Sequence, residues 1–70
     1  MNAREMKRDA ARRAASAAGM TQVQLAEKMG LSQCYIHKIL QGNAPLERVR
    51  ELVEVCGFDI SLELRKAVED

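Results

Sequence analysis

Thr21-Gln-Val-Gln-Leu-Ala-Glu-Lys-Met-Gly-Leu-Ser-Gln-Cys-Tyr-Ile-His-Lys-Ile-Leu-Gln-Gly42 spans residues 21–42 of the 70-residue chain. The stretch reads as two short helices joined by a tight turn at Gly30. Leu25 and Met29 lie four apart, on one face of the first helix. Ile36 and Ile39 lie three apart, on one face of the second. Leu31 falls in the turn, where it plugs the corner. Two crossing helices need a small side chain where their backbones meet, and Ala26 supplies it. They also need a residue tolerant of positive φ at the turn, and Gly30 supplies that. Thr21 is a good N-cap, and Gln24 three residues on completes a capping box. Ser32 caps the second helix, and Gly42 ends it.

The flanks extend the pattern. Residues 3–18 are rich in alanine, the best helix former, and Gly19 reads as their stop. Met6, Ala10, Ala14 and Ala17 follow a three-to-four spacing and form the expected inner face. Arg4, Lys7, Arg8, Arg12 and Arg13 are expected to be largely solvated. After Gly42 comes Asn43-Ala44-Pro45, with Asn43 as a cap or turn residue. Pro45 suits the first turn of a helix, where its missing N–H is harmless. Leu46, Val49, Leu52, Val53 and Cys56 then recur at helical spacing, and Gly57 stops the run.

The tail behaves differently. From Phe58 to Arg65, apolar and polar residues alternate strictly, which is the period of a half-buried strand. No other segment reads as a strand, and a lone strand leaves its backbone N–H and C=O groups without partners. A second copy of the chain resolves this. Two tails pair antiparallel across a two-fold axis, with Phe58, Ile60, Leu62 and Leu64 over a shared core. The expected fold is therefore mainly α, four helices plus one C-terminal β-strand paired across a homodimer. Residues 1–57 form the helical domain, 58–66 the dimerisation strand and 67–70 a tail.

Composition bounds what such a chain does. Seventy residues make one small domain. A chain of that size buries only about 60% of its unfolded surface, and oligomerisation is a usual remedy. No apolar run approaches the ~20 residues of a membrane span. The N-terminus is too charged to be a secretory signal, so a cytoplasmic location is expected. The net charge is only +1, yet it is unevenly spread. Residues 1–38 carry seven basic and three acidic side chains, a net of +4, while residues 39–70 carry four and seven, a net of −3. That polarity suits one face for phosphate and another for a different partner.

Cys34 and Cys56 are too few and too far apart for a metal site of recognised spacing. A disulfide is unusual in the cytosol. Cys56 lies on an apolar stripe and is expected in the core. Cys34 is expected to be exposed, as a small side chain or as a redox-sensitive one. One histidine, no Gly-rich phosphate loop and too little chain for a pocket argue against an enzyme. No cofactor or metal is expected.

The segment resembles the helix–turn–helix of the Xre/Cro, lambda-repressor-like family. That family's run is Thr-Gln-x-x-Leu-Ala-x-x-x-Gly-Leu/Val-Ser-x-x-x-Ile-x-x-Ile-x-x-Gly. Thr21, Gln22, Leu25, Ala26, Gly30, Leu31, Ser32, Ile36, Ile39 and Gly42 match it. The loop after Gly42 is shorter than the family's usual one. With the tail included, the chain is most similar to small HipB-type antitoxin regulators, which dimerise through a C-terminal strand. The resemblance implies a homodimeric repressor that binds a double-stranded DNA operator. It also implies control of its own operon and a toxin partner encoded beside it. A phage Cro-like repressor without a toxin fits the same residues. So does a protein-interaction module of this fold that does not bind DNA.

In the DNA-binding reading, the second helix enters the major groove. Two such helices about 34 Å apart match a pseudo-palindromic operator. Gln33, Cys34, His37 and Lys38 face away from Ile36 and Ile39 and are the expected base-reading residues. Gln33 leads the helix, and its amide suits adenine N6 and N7. Gln22, Ser32, Gln41 and Asn43 are the expected phosphate contacts. Gln22 is placed there by the resemblance, and helix N-termini near Gln22 and Ser32 favour an anion. Some of the α1 cations are also within reach of phosphates. The protein is then nucleoid-associated when bound.

Overall fold

A computed structural model describes residues 2–58. Four helices follow in order: α1 (Ala3–Ala18), α2 (Gln22–Met29), α3 (Gln33–Leu40) and α4 (Leu46–Val55). Among the described residues there is no strand. Ile60, Leu62 and Leu64, and with them the expected dimerisation strand, lie outside the described residues. Phe58, the last one described, is 48% exposed.

Local chemistry sets the helix boundaries. Asn2 caps α1, its Oδ1 accepting from the Glu5 N–H at 2.8 Å. Thr21 opens α2 with the expected capping box. Its Oγ1 accepts from the Gln24 N–H at 3.2 Å, and the Gln24 Oε1 accepts from the Thr21 N–H at 2.9 Å. Ser32 caps α3, accepting from the Tyr35 N–H at 3.1 Å.

All four helices end alike. The N–H of Met20, Leu31, Asn43 and Phe58 donates to the carbonyl of Ala15, Ala26, Lys38 and Val53, at 3.1, 3.0, 3.0 and 3.0 Å. This is the six-to-one bond of a Schellman motif, which pairs an otherwise orphaned carbonyl. It requires a left-handed residue just before the donor. The four glycines of the chain (19, 30, 42 and 57) occupy those places with φ between 65° and 90°.

The core is small and continuous. Leu25, Ile36, Ile39, Val49 and Leu52 are its largest fully buried side chains, joined by Val53, Ala26, Ala44 and three alanines of α1. Helix α1 packs on α3 and α4, and α2 packs on the same two. Leu31 and Met29 pack against the core from the turn side. At ~25 cal/mol per Å² of apolar area, alanines contribute less than leucines, so α1 gains mainly from close approach.

Three expectations need correction. The buried alanines of α1 are Ala11, Ala14 and Ala15, whereas Ala17 is exposed and Met6 and Ala10 are only half-buried. The inner stripe is thus rotated by about one residue, or roughly 100°. Pro45 is the residue before α4 rather than part of its first turn. Its carbonyl accepts from the N–H groups of Arg48 and Val49, and no side chain caps the helix. Leu46 is 39% exposed. It is the first residue of α4 and lies beyond the edge of the buried stripe.

Candidate functional site

Helix α3 presents the site. Ile36 and Ile39 are fully buried and fix which side of the helix faces inward. Gln33, Cys34, His37 and Lys38 are consequently exposed on the outer side, with Ser32 exposed at the leading end. Gln41 is half-buried at the trailing end, and Asn43 is exposed just beyond it. Gln22 is exposed at the first position of α2. The fold therefore gathers all eight residues onto α3, its two ends and the start of α2.

The outer side of α3 plays little part in folding. Among the described residues, the side chains of Gln33, Cys34, His37 and Lys38 take no part in the hydrogen bonds or ion pairs. They are donors and acceptors held by a rigid helix and left open. Ser32 differs, because its hydroxyl is already engaged at the Tyr35 N–H. What Ser32 offers outward is the positive end of α3, where unpaired N–H groups gather.

Tyr35 is half-buried and packs on the body of the domain. The Arg48 guanidinium lies over its ring, 5.9 Å from the centroid, within the range of a cation–π contact. Arg48 also donates to Glu51 Oε2 at 2.8 Å. That hydrogen bond and the charge of Glu51, with a smaller contribution from Tyr35, raise the Arg48 pKa above its ordinary value. The pair ties α4 to α3.

Two cations of α1 do more than face solvent. Lys7 Nζ donates to the Ala44 carbonyl at 2.9 Å, and Arg12 Nε donates to the Leu40 carbonyl at 3.0 Å. Arg12 sits at the negative end of α3, where a positive charge is favourable, and Lys7 holds the loop that follows it. Arg12 is exposed, as expected, whereas Lys7 is half-buried. No local signal marks either one, because their partners lie 37 and 28 positions away.

Cys34 is exposed as expected, whereas Cys56, expected in the core, is half-buried and packs against its edge. Burial pushes the Cys56 thiol up, against a smaller opposing effect of Lys28. Among the described residues no group of His, Cys, Asp and Glu could hold a metal ion. None of the described helices is long and apolar enough to cross a membrane.

Comparison with known proteins adds one finding. A family model described as a helix-turn-helix domain matches residues 7–67, most of the chain. No curated protein and no solved structure matches it.

Proposed function

The chain belongs to the helix-turn-helix domain family, of the Xre/Cro-like kind, and on that premise we propose that it is a sequence-specific DNA-binding repressor of transcription. The observation that carries this reading is the division of α3. Ile36 and Ile39 are 0% exposed, while Gln33, Cys34, His37 and Lys38 are open and uncommitted. A helix anchored on one side and polar on the other is what major-groove reading requires. Gln33 reads a base edge, with adenine as its natural partner. His37, Lys38 and Cys34 line the same groove. Gln22, Ser32, Gln41 and Asn43 contact phosphates and set the register.

The repressor acts as a homodimer on a pseudo-palindromic site. Support comes from the alternating sequence of residues 58–65 and from the small size of the domain. The finer reading is an autoregulatory antitoxin, working in the cytoplasm. Its support is the acidic balance of residues 39–70, opposite in sign to that of residues 1–38 and suited to a second partner. The domain boundaries belong to the same proposal: residues 1–57 bind DNA and residues 58–66 pair the protomers.

The test is a fluorescence anisotropy titration with duplex DNA from upstream of the chain's own reading frame. Scrambled duplex serves as the control, at about 150 mM salt and again at lower salt. Binding to the upstream duplex is expected to be some 10³-fold tighter than to the control. Equal binding to both removes sequence-specific repression. No binding to either removes the DNA reading and leaves a protein partner.

A further inference from the structure

We propose that Lys7 and Arg12 of α1 form a second phosphate-binding ridge, which extends the DNA contact of α3 onto the helix behind it. The inference rests on the DNA-binding reading above. Three observations carry it. Arg12 Nε is held by the carbonyl of Leu40, the last residue of α3, and Lys7 Nζ by the carbonyl of Ala44. The two cations therefore bracket residues 41–43, the segment assigned to phosphate. Among the described residues, moreover, the two Nη groups of Arg12 donate to no protein atom.

The donor geometry suits a phosphate. A guanidinium fixed through Nε offers its Nη groups in a rigid fork, which pairs with phosphate oxygens. Lys7 uses one of its three donors on Ala44 and keeps two. Backbone carbonyls neutralise neither charge. Asp9, three residues from Arg12 and two from Lys7, is engaged with Arg13 at 3.1 Å, and Glu5, equally near Lys7 in sequence, forms no ion pair among the described residues. The loop after Gly42 is short, and α1 supplies the cations that it lacks: residues 41–45 contain no Lys or Arg.

The experiment is the salt dependence of binding to a random-sequence duplex and to the upstream duplex. Arg12→Gln, Lys7→Gln, Arg12→Lys and Arg12→citrulline are compared with the parent chain. Citrulline keeps the Nε–H that bonds Leu40 and replaces one Nη with a neutral carbonyl oxygen, so it removes the charge and one arm of the fork. It can be introduced by synthesis and guards against an Arg12→Gln chain that fails to fold. Each neutralised contact is expected to reduce the slope of log K against log salt by about 0.9, on both duplexes alike. Arg12→Lys is expected to keep the parental slope.

A slope unchanged in folded Arg12→citrulline and Lys7→Gln overturns the ridge, and leaves these residues as ties between α1 and α3. Failure of the parent chain to bind either duplex overturns the DNA reading itself, and the ridge with it. The two failures are distinct, because the first occurs in variants of a chain that binds.

Discussion

Gly42 lies against the backbone carbonyl of Arg4. A Cβ placed on Gly42 would fall on that oxygen and come within 3.1 Å of the Arg8 amide nitrogen. The end of α3 and the first turns of α1 are therefore in backbone contact. Gly42 also has a φ of 79°, so it meets two demands at once. Gly19 meets only the second, with open space around its Cβ position. Gly19→Ala is expected to cost about 1 kcal/mol, the penalty for a left-handed alanine. Gly42→Ala adds overpacking to that penalty and should cost about 2–4 kcal/mol in all. Urea denaturation of the two variants checks the difference. Equal losses would mean that α1 yields freely at Arg4.

The capping box separates stability from binding at neighbouring positions. Thr21→Ala removes the acceptor for the Gln24 N–H and is expected to cost about 1 kcal/mol. Gln22→Ala touches nothing in the fold and should leave the melting midpoint unchanged, while weakening DNA binding on every sequence. A Gln22 variant that melts earlier, with unchanged affinity, contradicts its assignment to phosphate.

Gln33 carries the specificity prediction. Gln33→Ala should lose roughly 1–3 kcal/mol on the specific duplex and little on random DNA. Its stability should stay within about 0.5 kcal/mol of the parent, as for an exposed site without partners. Intact sequence preference in this variant would move the reading face elsewhere on α3.

Ile36 is fully buried where α3 meets the core. Ile36→Ala is expected to cost about 2–5 kcal/mol. Small domains hold only about 5–15 kcal/mol in total, so a large fraction of the chain should unfold on warming. Circular dichroism with temperature reads this directly. A variant that melts with the parent would show that α3 is not anchored through Ile36.

The two thiols should differ in labelling by a maleimide or iodoacetamide. Cys34 is exposed and reacts first. Cys56 is shielded, and its raised pKa keeps it as the unreactive thiol to higher pH. The folded thiol holds its proton more tightly than the unfolded one. Its contribution to stability is thus full below the unfolded pKa and fades as pH rises through the folded value. Labelling of Cys56 should rise over that same range. Faster labelling of Cys56 than of Cys34 at neutral pH would contradict the packing of α4.

The parts legible in the sequence are those set by neighbours along the chain. Thr21, Gln24, Ser32 and the glycines act within a few residues of themselves, so their types alone mark where helices begin and end. Ile36 and Ile39 announce the inward side of α3, because they lie one turn apart with His37 and Lys38 between them. The face of α1 could not be read in that way. Alanine occupies positions 10, 11, 14, 15, 17 and 18, and a uniform residue type carries no phase. The ties from Lys7 and Arg12 were equally silent, since only the folded chain brings their carbonyl partners near. Pro45 fits a position just before a helix as well as one inside its first turn, and the structure chose the former.

The outer side of α3 bears on how such a protein changes over generations. Gln33, Cys34, His37 and Lys38 are exposed and owe nothing to the core. In the proposed reading, replacing them alters what is read, and it leaves the scaffold intact. A lineage of this fold can thus acquire a new target by ordinary point substitution, with each intermediate still folded.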